Sequence, residues 1–468
     1  MGGTFLFGES KVRPGSYFNI QKKEKEGVSG ILNGVTAVLF KADFGPLNTA
    51  VELRAEDGYE KVFGDGLTTD AIREAIAGGA KTVIVCRVGN GGAPGTVNLK
   101  DANGEDAVCI TAKYPGEKDF SVTIREKLSD PSLKECIFYA GTEQFEKVEF
   151  AAGSGEAAAL AAAMSSSLNF TAELKDGKGE AALAAVSQGV FTGGENPKAT
   201  AEDYSNAFAE VEPHEFNTIC LDTEDMEIHL LLQAFLDRIF NAGSLAQAVV
   251  AEKHTVDLEA RMDHAEAFND EKMHYVLNAW VDEQGTIIDG YQTAARIAGM
   301  IGAAPSNSSL THTVMNGFSE ILERLTNTDI VSAERRGCIV LSYNSAKQVW
   351  IDSAINTLTA PADNQDEGWK KIRRVKTRFE LIRRINATVD GLIGKIDNDA
   401  NGRATLVSQA QGVGNSMVEE GKLLSCAVSE SGANAADGDS AWFSIDVVDK
   451  DSVEHVYLTF KFQFSANE

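Results

Sequence analysis

Three histidines, His254, His264 and His274, recur at ten-residue intervals in a charged stretch and are the first place to look for a metal site. Ten residues is close to three helical turns, so on one helix they sit about 15 Å apart, too far to share an ion. No H-E-x-x-H and no His/Cys quartet accompanies them, and they read as surface or interface histidines. His214 and Asp222 flank the strand-like FNTICL and are the nearest approach to part of a Ser/His/Asp triad. The chain has no G-x-S-x-G elbow, however, and loop polarity accounts for both residues. The strand-like TVIVCRV leads into Gly89, Gly91 and Gly92, as in a dinucleotide fingerprint, but Pro94 stands where the third glycine belongs and no helix opens there. Cys86, Cys109, Cys136, Cys220, Cys338 and Cys426 form no C-x-x-C pair and read as buried reduced thiols. These residues predict no catalytic group, no metal and no cofactor.

One cluster of charge remains. In WKKIRRVKTRFELIRRINATV, the apolar residues Ile372, Val375, Phe379, Ile382 and Ile385 recur at three- and four-residue steps, the period of one helix face. The other face carries Lys370, Lys371, Arg373, Arg374, Lys376, Arg378, Arg383 and Arg384. A basic amphipathic helix in an acidic protein is expected to meet an acidic protein surface rather than a phosphate. The chain is acidic: 43 Lys+Arg stand against 69 Asp+Glu over 468 residues, a net charge of −26. That charge repels nucleic acid over the chain as a whole. The opening residues lack a secretory pattern and no apolar run approaches 18 residues, so the expectation is a cytosolic protein with no direct membrane insertion.

The length predicts about three domains. Residues 1–22, punctuated by Gly2, Gly3, Gly8, Pro14 and Gly15, read as an N-terminal arm. Residues 23–95 follow as an α/β segment, with VTAVLF as a strand, TTDAIREAIAGG as a helix opened by Thr69 or Asp70, and TVIVCRV as a strand. Residues 96–190 change character: short β-like pieces (AVCITAKY, SVTIREKL, ECIFYA, NFTAEL) surround an Ala-rich helix, EAAALAAAMSSS, and read as an inserted β-rich domain. Over 191–362 the strands FNTICL, HYVLNAWV and GCIVLSY alternate with the helix-like EDMEIHLLLQAFLDRIF, YQTAARIAGMIGAA and VMNGFSEILERL, which predicts a parallel or mixed sheet covered by helices. Residues 363–454 hold the basic helix and a second helix from about Ala404 to Glu420.

The last segment, 455–468, is a C-terminal strand arm by its alternation. Val456, Leu458, Phe460, Phe462 and Phe464 fall on one face, Tyr457, Thr459, Lys461 and Gln463 on the other. A terminal apolar strand either pairs within its own domain or adds to a neighbouring subunit.

The order of motifs resembles the contractile tail sheath proteins of bacteriophages and of phage-tail-like bacteriocins. The motifs are PGSYFNI (Pro14–Ile20), GVTAVLFKADFGPLN with FGDG, TVIVCRV, AKYPG (Ala112–Gly116), FTGGEN (Phe191–Asn196), AARIAGMIGAAPSNSSLTH (Ala294–His312) and LIGKIDNDANGRATL (Leu392–Leu406). Their collinearity over nearly the whole chain carries the resemblance, while the charged stretch from His254 to His274 departs from the family pattern and has no assigned role. The resemblance implies a multidomain α+β fold with a central subtilisin-like α/β domain lacking a catalytic triad, an inserted β-rich domain, a C-terminal α/β domain and extended arms. It implies a homo-oligomer of hexameric rings stacked in a helical sheath around a tail tube protein, with baseplate and tail terminator proteins as further partners. Such a subunit assembles in the host cytoplasm and ends in a virion tail or released particle. Strand exchange between subunits would then run through Phe5, Phe7, Val456, Leu458, Phe460, Phe462 and Phe464, and the basic face would contact the tube or a neighbouring subunit. An active hydrolase and a self-assembling surface-layer protein are the competing readings.

Overall fold

The computed structural model describes residues 32–462. Phe5, Phe7, Phe464 and the arm motif Pro14–Ile20 lie outside the described residues. The chain opens with β1 (Val35–Phe40), β2 (Ala50–Arg54), a one-turn helix α1 (Glu60–Phe63), α2 (Asp70–Ala77) and β3 (Thr82–Arg87). β1 and β3 are continuous apolar runs because both of their faces are covered, as parallel strands require.

The chain then leaves for an inserted unit. β4 (Thr96–Lys100), β5 (Asp106–Ala112), β6 (Phe120–Glu126), β7 (Leu133–Ala140), β8 (Glu143–Ala151), α3 (Glu156–Ala163), β9 (Phe170–Leu174) and β10 (Val186–Val190) follow in order. Among the described residues these strands form a four-stranded antiparallel sheet, β10-β6-β7-β8, and a three-stranded one, β4-β5-β9, around one shared core. The alternation in SVTIREKL and NFTAEL is that of strands with one face in this core.

On its return the chain adds α4 (Ala201–Val211), β11 (Thr218–Leu221), α5 (Met226–Asn241), β12 (Gln247–Ala251), α6 (Leu258–Phe268) and β13 (Met273–Val276). It continues with β14 (Trp280–Asp282), β15 (Ile287–Ile288), α7 (Tyr291–Ala303), β16 (Phe318–Ile321), α8 (Asn327–Arg335), β17 (Cys338–Ile339), β18 (Leu341–Tyr343) and β19 (Val349–Ile351). Among the described residues the central sheet has seven strands in the order β17-β13-β12-β11-β1-β3-β2, parallel except at β2. Side chains alternate through it: Val38 and Phe40 face α2 and α7, and Ala37 and Leu39 face α4, α5 and α6. One expectation fails here. VMNGFSEILERL is not a helix: Gly317 has φ +81°, Phe318–Ile321 pairs with β14, and Phe318 stacks on Trp280. Helix α8 begins only after Thr326, whose hydroxyl forms a capping box with Asp329.

The last part is α9 (Ile372–Asp390), α10 (Ala400–Glu419), β20 (Leu423–Glu430) and β21 (Phe443–Asp449). The two strands pair only with each other among the described residues, and the hairpin lies on α10 and, more loosely, on α9. The whole is a mixed α/β, multidomain chain.

Candidate assembly interface

The residues first suspected of chemistry are spread over separate elements. His254 precedes α6 and bonds to Asp289, His264 lies on α6 and bonds to Glu252 at 2.8 Å, and His274 lies in β13. The surface reading of His274 is overturned, because β13 runs inside the sheet between β12 and β17 and the side chain is fully buried. Burial, with Lys376 nearby, pushes its pKa down to about 3. His214 and Asp222 sit before and after β11, so the sheet holds them at opposite edges. Asp222 is buried and accepts hydrogen bonds from the Lys41 amide (2.9 Å), the Thr68 hydroxyl and the Tyr204 hydroxyl, a saturated structural carboxylate. The charged stretch 254–274 builds α6, capped by Asp257; its Arg261 is buried in a bidentate pair with Glu323 (2.9 and 2.8 Å). All six cysteines are free thiols; Cys86, Cys136, Cys220 and Cys338 are buried, and Cys109 and Cys426 are half-buried. Among the described residues no group of His, Cys, Asp or Glu is arranged to hold a metal, and no helix is long and apolar enough to cross a membrane.

The basic helix forms as expected over Ile372–Asp390, and most of the charge expected to meet another protein has partners within the chain. In a parallel α/β unit the helices run against the strands, so helix C-termini gather at the strands' N-terminal edge and leave unpaired carbonyls there. α9 lies across that edge. The Lys376 ammonium donates to the carbonyls of Ile301 and Ala304 at the end of α7, and Arg383 donates to the carbonyl of Leu245, in the loop after α5. Burial pushes Lys376 down to about 7 and Arg383 down to about 10.

The other cations hold the C-terminal unit. Arg384, fully buried, makes a bidentate pair with Glu420 (2.6 and 2.8 Å) and a second pair with Glu380, which also accepts from Lys422 at 2.7 Å. Arg374 and Arg378 converge on Asp449 at 2.8 and 3.0 Å, and Arg378 also reaches Asp366 at 2.9 Å. Lys371 pairs with Asp451 at 2.8 Å and Glu454 at 3.0 Å, and Arg373 lies 3.9 Å from Asp451. Among the described residues Lys370 pairs only with Glu367, a largely exposed residue one helical turn away. The hydrogen bond from Arg384 draws the Glu420 carboxyl down to about 2. Burial pushes Asp449 up, but the hydrogen bonds from Arg374 and Arg378 outweigh it and hold the carboxyl below the usual range. Ile382 is 38% exposed and Leu381 takes its place in the buried stripe.

The C-terminal unit leaves part of its apolar surface exposed. Leu424, Trp442, Ile445, Val447 and Val448 of the hairpin and its turn are exposed, and both outer strand edges are unpaired among the described residues. Between β21 and α9 runs an open groove of about 730 Å³ with Leu381, Ile382, Ile385, Ile445 and Val447 in its lining and Asp366 and Asp449 among its polar residues. Past β21 the chain extends without secondary structure to residue 462, with Val456, Leu458 and Phe460 exposed and Phe462 93% exposed. The alternating strand read from the sequence is here a segment without a ladder, since a strand forms only against a partner.

Residues 197–357 match the family model described as the phage tail sheath protein central domain. The phage-like element PBSX protein XkdK of Bacillus subtilis is 26% identical over 408 residues, covering 83% of this chain and 83% of that protein. The sheath tail protein of Desulfitobacterium hafniense superposes with a TM-score of 0.71 at 20% identity, over 93% of this chain and 100% of that one. The helical sheath of the anti-feeding prophage in its contracted state superposes with a TM-score of 0.54 at 11% identity, over 97% of this chain and 99% of that one.

Proposed function

From the premise that residues 197–357 belong to the phage tail sheath family, we propose that this protein is the structural subunit of a contractile tail sheath, stacked as hexameric rings around a tail tube. Contraction of that lattice would drive the tube through a target cell envelope. The observation that carries the reading is the exposed, alternating segment Val456–Phe462, which leaves the body beside a hairpin whose outer edges are unpaired. Isolated in water, such a segment is a liability; added to a sheet of another copy it becomes a strand. Main-chain hydrogen bonds supply affinity, and the alternation of Val456, Leu458, Phe460, Phe462 and Phe464 sets register, because a one-residue slip turns every phenylalanine to the wrong face. The receiving site is the β20–β21 hairpin of a neighbour, whose groove beside α9 offers an apolar lining to these side chains. Burying each large apolar side chain is worth about 1.5–3 kcal/mol. The N-terminal arm, through Phe5 and Phe7, is assigned the same role.

The wider reading keeps the division at 23–95, 96–190, 191–362 and 363–454, the subtilisin-like character of the central unit, assembly in the host cytoplasm, and contacts with tube, baseplate and tail terminator proteins. Among the described residues, Lys370 pairs with the exposed Glu367 one turn away while the other basic residues hold partners elsewhere in the fold, so Lys370 is assigned to face tube or neighbour. Negative-stain electron microscopy of the full-length protein, alone and mixed with its tube protein, tests the proposal. Hollow striated cylinders are expected; a uniform monomer under both conditions contradicts it.

A further inference from the structure

The C-terminal segment faces a competition with itself. Residues 450–455 separate the end of β21 from the alternating strand, and hairpin loops need only two to five residues. A strand tethered so closely meets its own β21 edge at an effective concentration in roughly the millimolar range, far above that of free subunits. Self-pairing would fill the edge and the groove and silence assembly. Among the described residues the segment does not pair with that edge.

The chain is drawn away at its root. Just past β21 the Lys450 amide donates to the carbonyl of Lys422 at 3.1 Å. Asp451 then pairs with Lys371 at 2.8 Å, with Arg373 at 3.9 Å. Glu454 pairs with the same Lys371 at 3.0 Å through one oxygen. Its other oxygen accepts from the hydroxyls of Ser309 (3.3 Å), Thr311 (3.4 Å) and Ser452 (3.0 Å). Ser309 and Thr311 belong to the loop after α7, on the central unit, so these contacts carry the chain off the hairpin and onto a different part of the molecule. Burial pulls the Lys371 ammonium down, and its hydrogen bonds to Asp451 and Glu454 outweigh that and hold it above the ordinary range. This also gives a use to the hydroxyl-rich PSNSSLTH stretch: Ser306 holds Glu380 of α9, and Ser309 and Thr311 hold Glu454.

We infer that Lys371, Ser309 and Thr311 with Asp451 and Glu454 form a clamp that prevents the C-terminal strand from closing on its own hairpin and so reserves it for a second copy of this chain. The inference rests on the strand-exchange reading above and adds a residue-level device to it. Opening the clamp should convert an assembly-competent subunit into a self-capped monomer with its strand intact.

The test uses the full chain in three forms: wild type, Lys371→Met and Glu454→Gln, the second variant keeping size and shape if the first folds poorly. Below the assembly concentration, hydrogen exchange is read over 443–449 and 456–462; above it, the critical concentration for polymerisation is measured. The wild-type monomer should exchange freely over 456–462 and at those amides of 443–449 that point away from β20. Each variant should gain protection at both and show a critical concentration raised at least about tenfold, as expected when an intramolecular partner outcompetes a dilute intermolecular one. Unchanged exchange and unchanged assembly in both variants overturn the clamp, as does lost assembly without gained protection. A chain ending at Glu454 separates the two levels. If it polymerises like the full chain, strand exchange itself is wrong; if it fails to polymerise while the clamp variants assemble normally, only the clamp is wrong.

Discussion

The central sheet is joined to two other parts of the molecule, and the two joints are built from different physics. Toward the inserted unit the joint is apolar and backbone-to-backbone. Phe44, from the loop after β1, is 1% exposed and packs edge-on against Tyr114 and Phe120 inside the inserted core. Arg87, fully buried, donates to the carbonyls of Ala42, Gly45 and Pro115, tying β3, the Phe44 loop and the insert together. The entering and returning chains pair as a short ladder through Asn90–Lys198, Ala93–Glu195 and Thr96–Thr192. A Cβ on Gly116 would collide with the Asp43 carbonyl and one on Gly194 with the Gly116 carbonyl, so the glycines of AKYPG and FTGGEN are there for close approach. Toward the C-terminal unit the joint is ionic: α9 and its N-cap Lys371 hold Asp449, Asp451, Glu420 and Glu454 through five cationic side chains, with an open groove alongside. The insert is fixed by shape, whereas the part that carries the arm is fixed by charge and must respond to pH.

That contrast can be broken at four points, in descending order of expected effect. Phe44→Ala removes the plug of the apolar joint and should cost about 3–5 kcal/mol, read by urea unfolding. Arg374→Met leaves Asp449 buried with Arg378 alone and should cost about 1.5–3 kcal/mol by the same measurement. Acid should then separate the joints. Asp449 and Glu420 have folded pKa values below their unfolded ones, so the stability they contribute is present above about pH 4 and is lost as pH falls. With Glu420 at about 2, hydrogen exchange should show the α9–hairpin contacts opening between about pH 4 and pH 2 while the protection around Phe44 holds. Simultaneous loss at both joints would remove the distinction. Lys370→Ala should change folding stability by less than about 0.5 kcal/mol, because its only partner among the described residues is an exposed glutamate one turn away. If that variant nevertheless polymerises poorly with the tube protein, Lys370 faces a partner.

The basic helix shows how far a sequence reading carries. Its period was legible in Ile372, Val375, Phe379 and Ile385, and the helix forms where the spacing places it. Its charge reads as meeting another protein's acidic surface; that most of it has partners within the chain is not legible, because Asp449, Asp451 and Glu454 lie some seventy to eighty residues downstream and the carbonyl-rich edge it covers exists only once the central sheet is assembled. The strand β12 went unread: QAVVA is short, buried on both faces and therefore without alternation. The segment Val314–Leu325 reads as helical because its apolar spacing suits a helix as well as a strand, and the stacking of Phe318 on Trp280 decides between them. The C-terminal arm was the clearest feature, since alternation over Val456–Phe464 needs no knowledge of distant residues.

The central claim is that this arm lodges on the hairpin of another copy. The most direct test places a photocrosslinking benzophenone side chain at position 460 in an equimolar mixture of isotopically light and heavy full-length chains, irradiates assembled material and maps the linked peptides. The account predicts links from position 460 to residues 423–449 in mixed light–heavy pairs. Links confined to light–light and heavy–heavy peptides, which place the arm on its own chain, would contradict it.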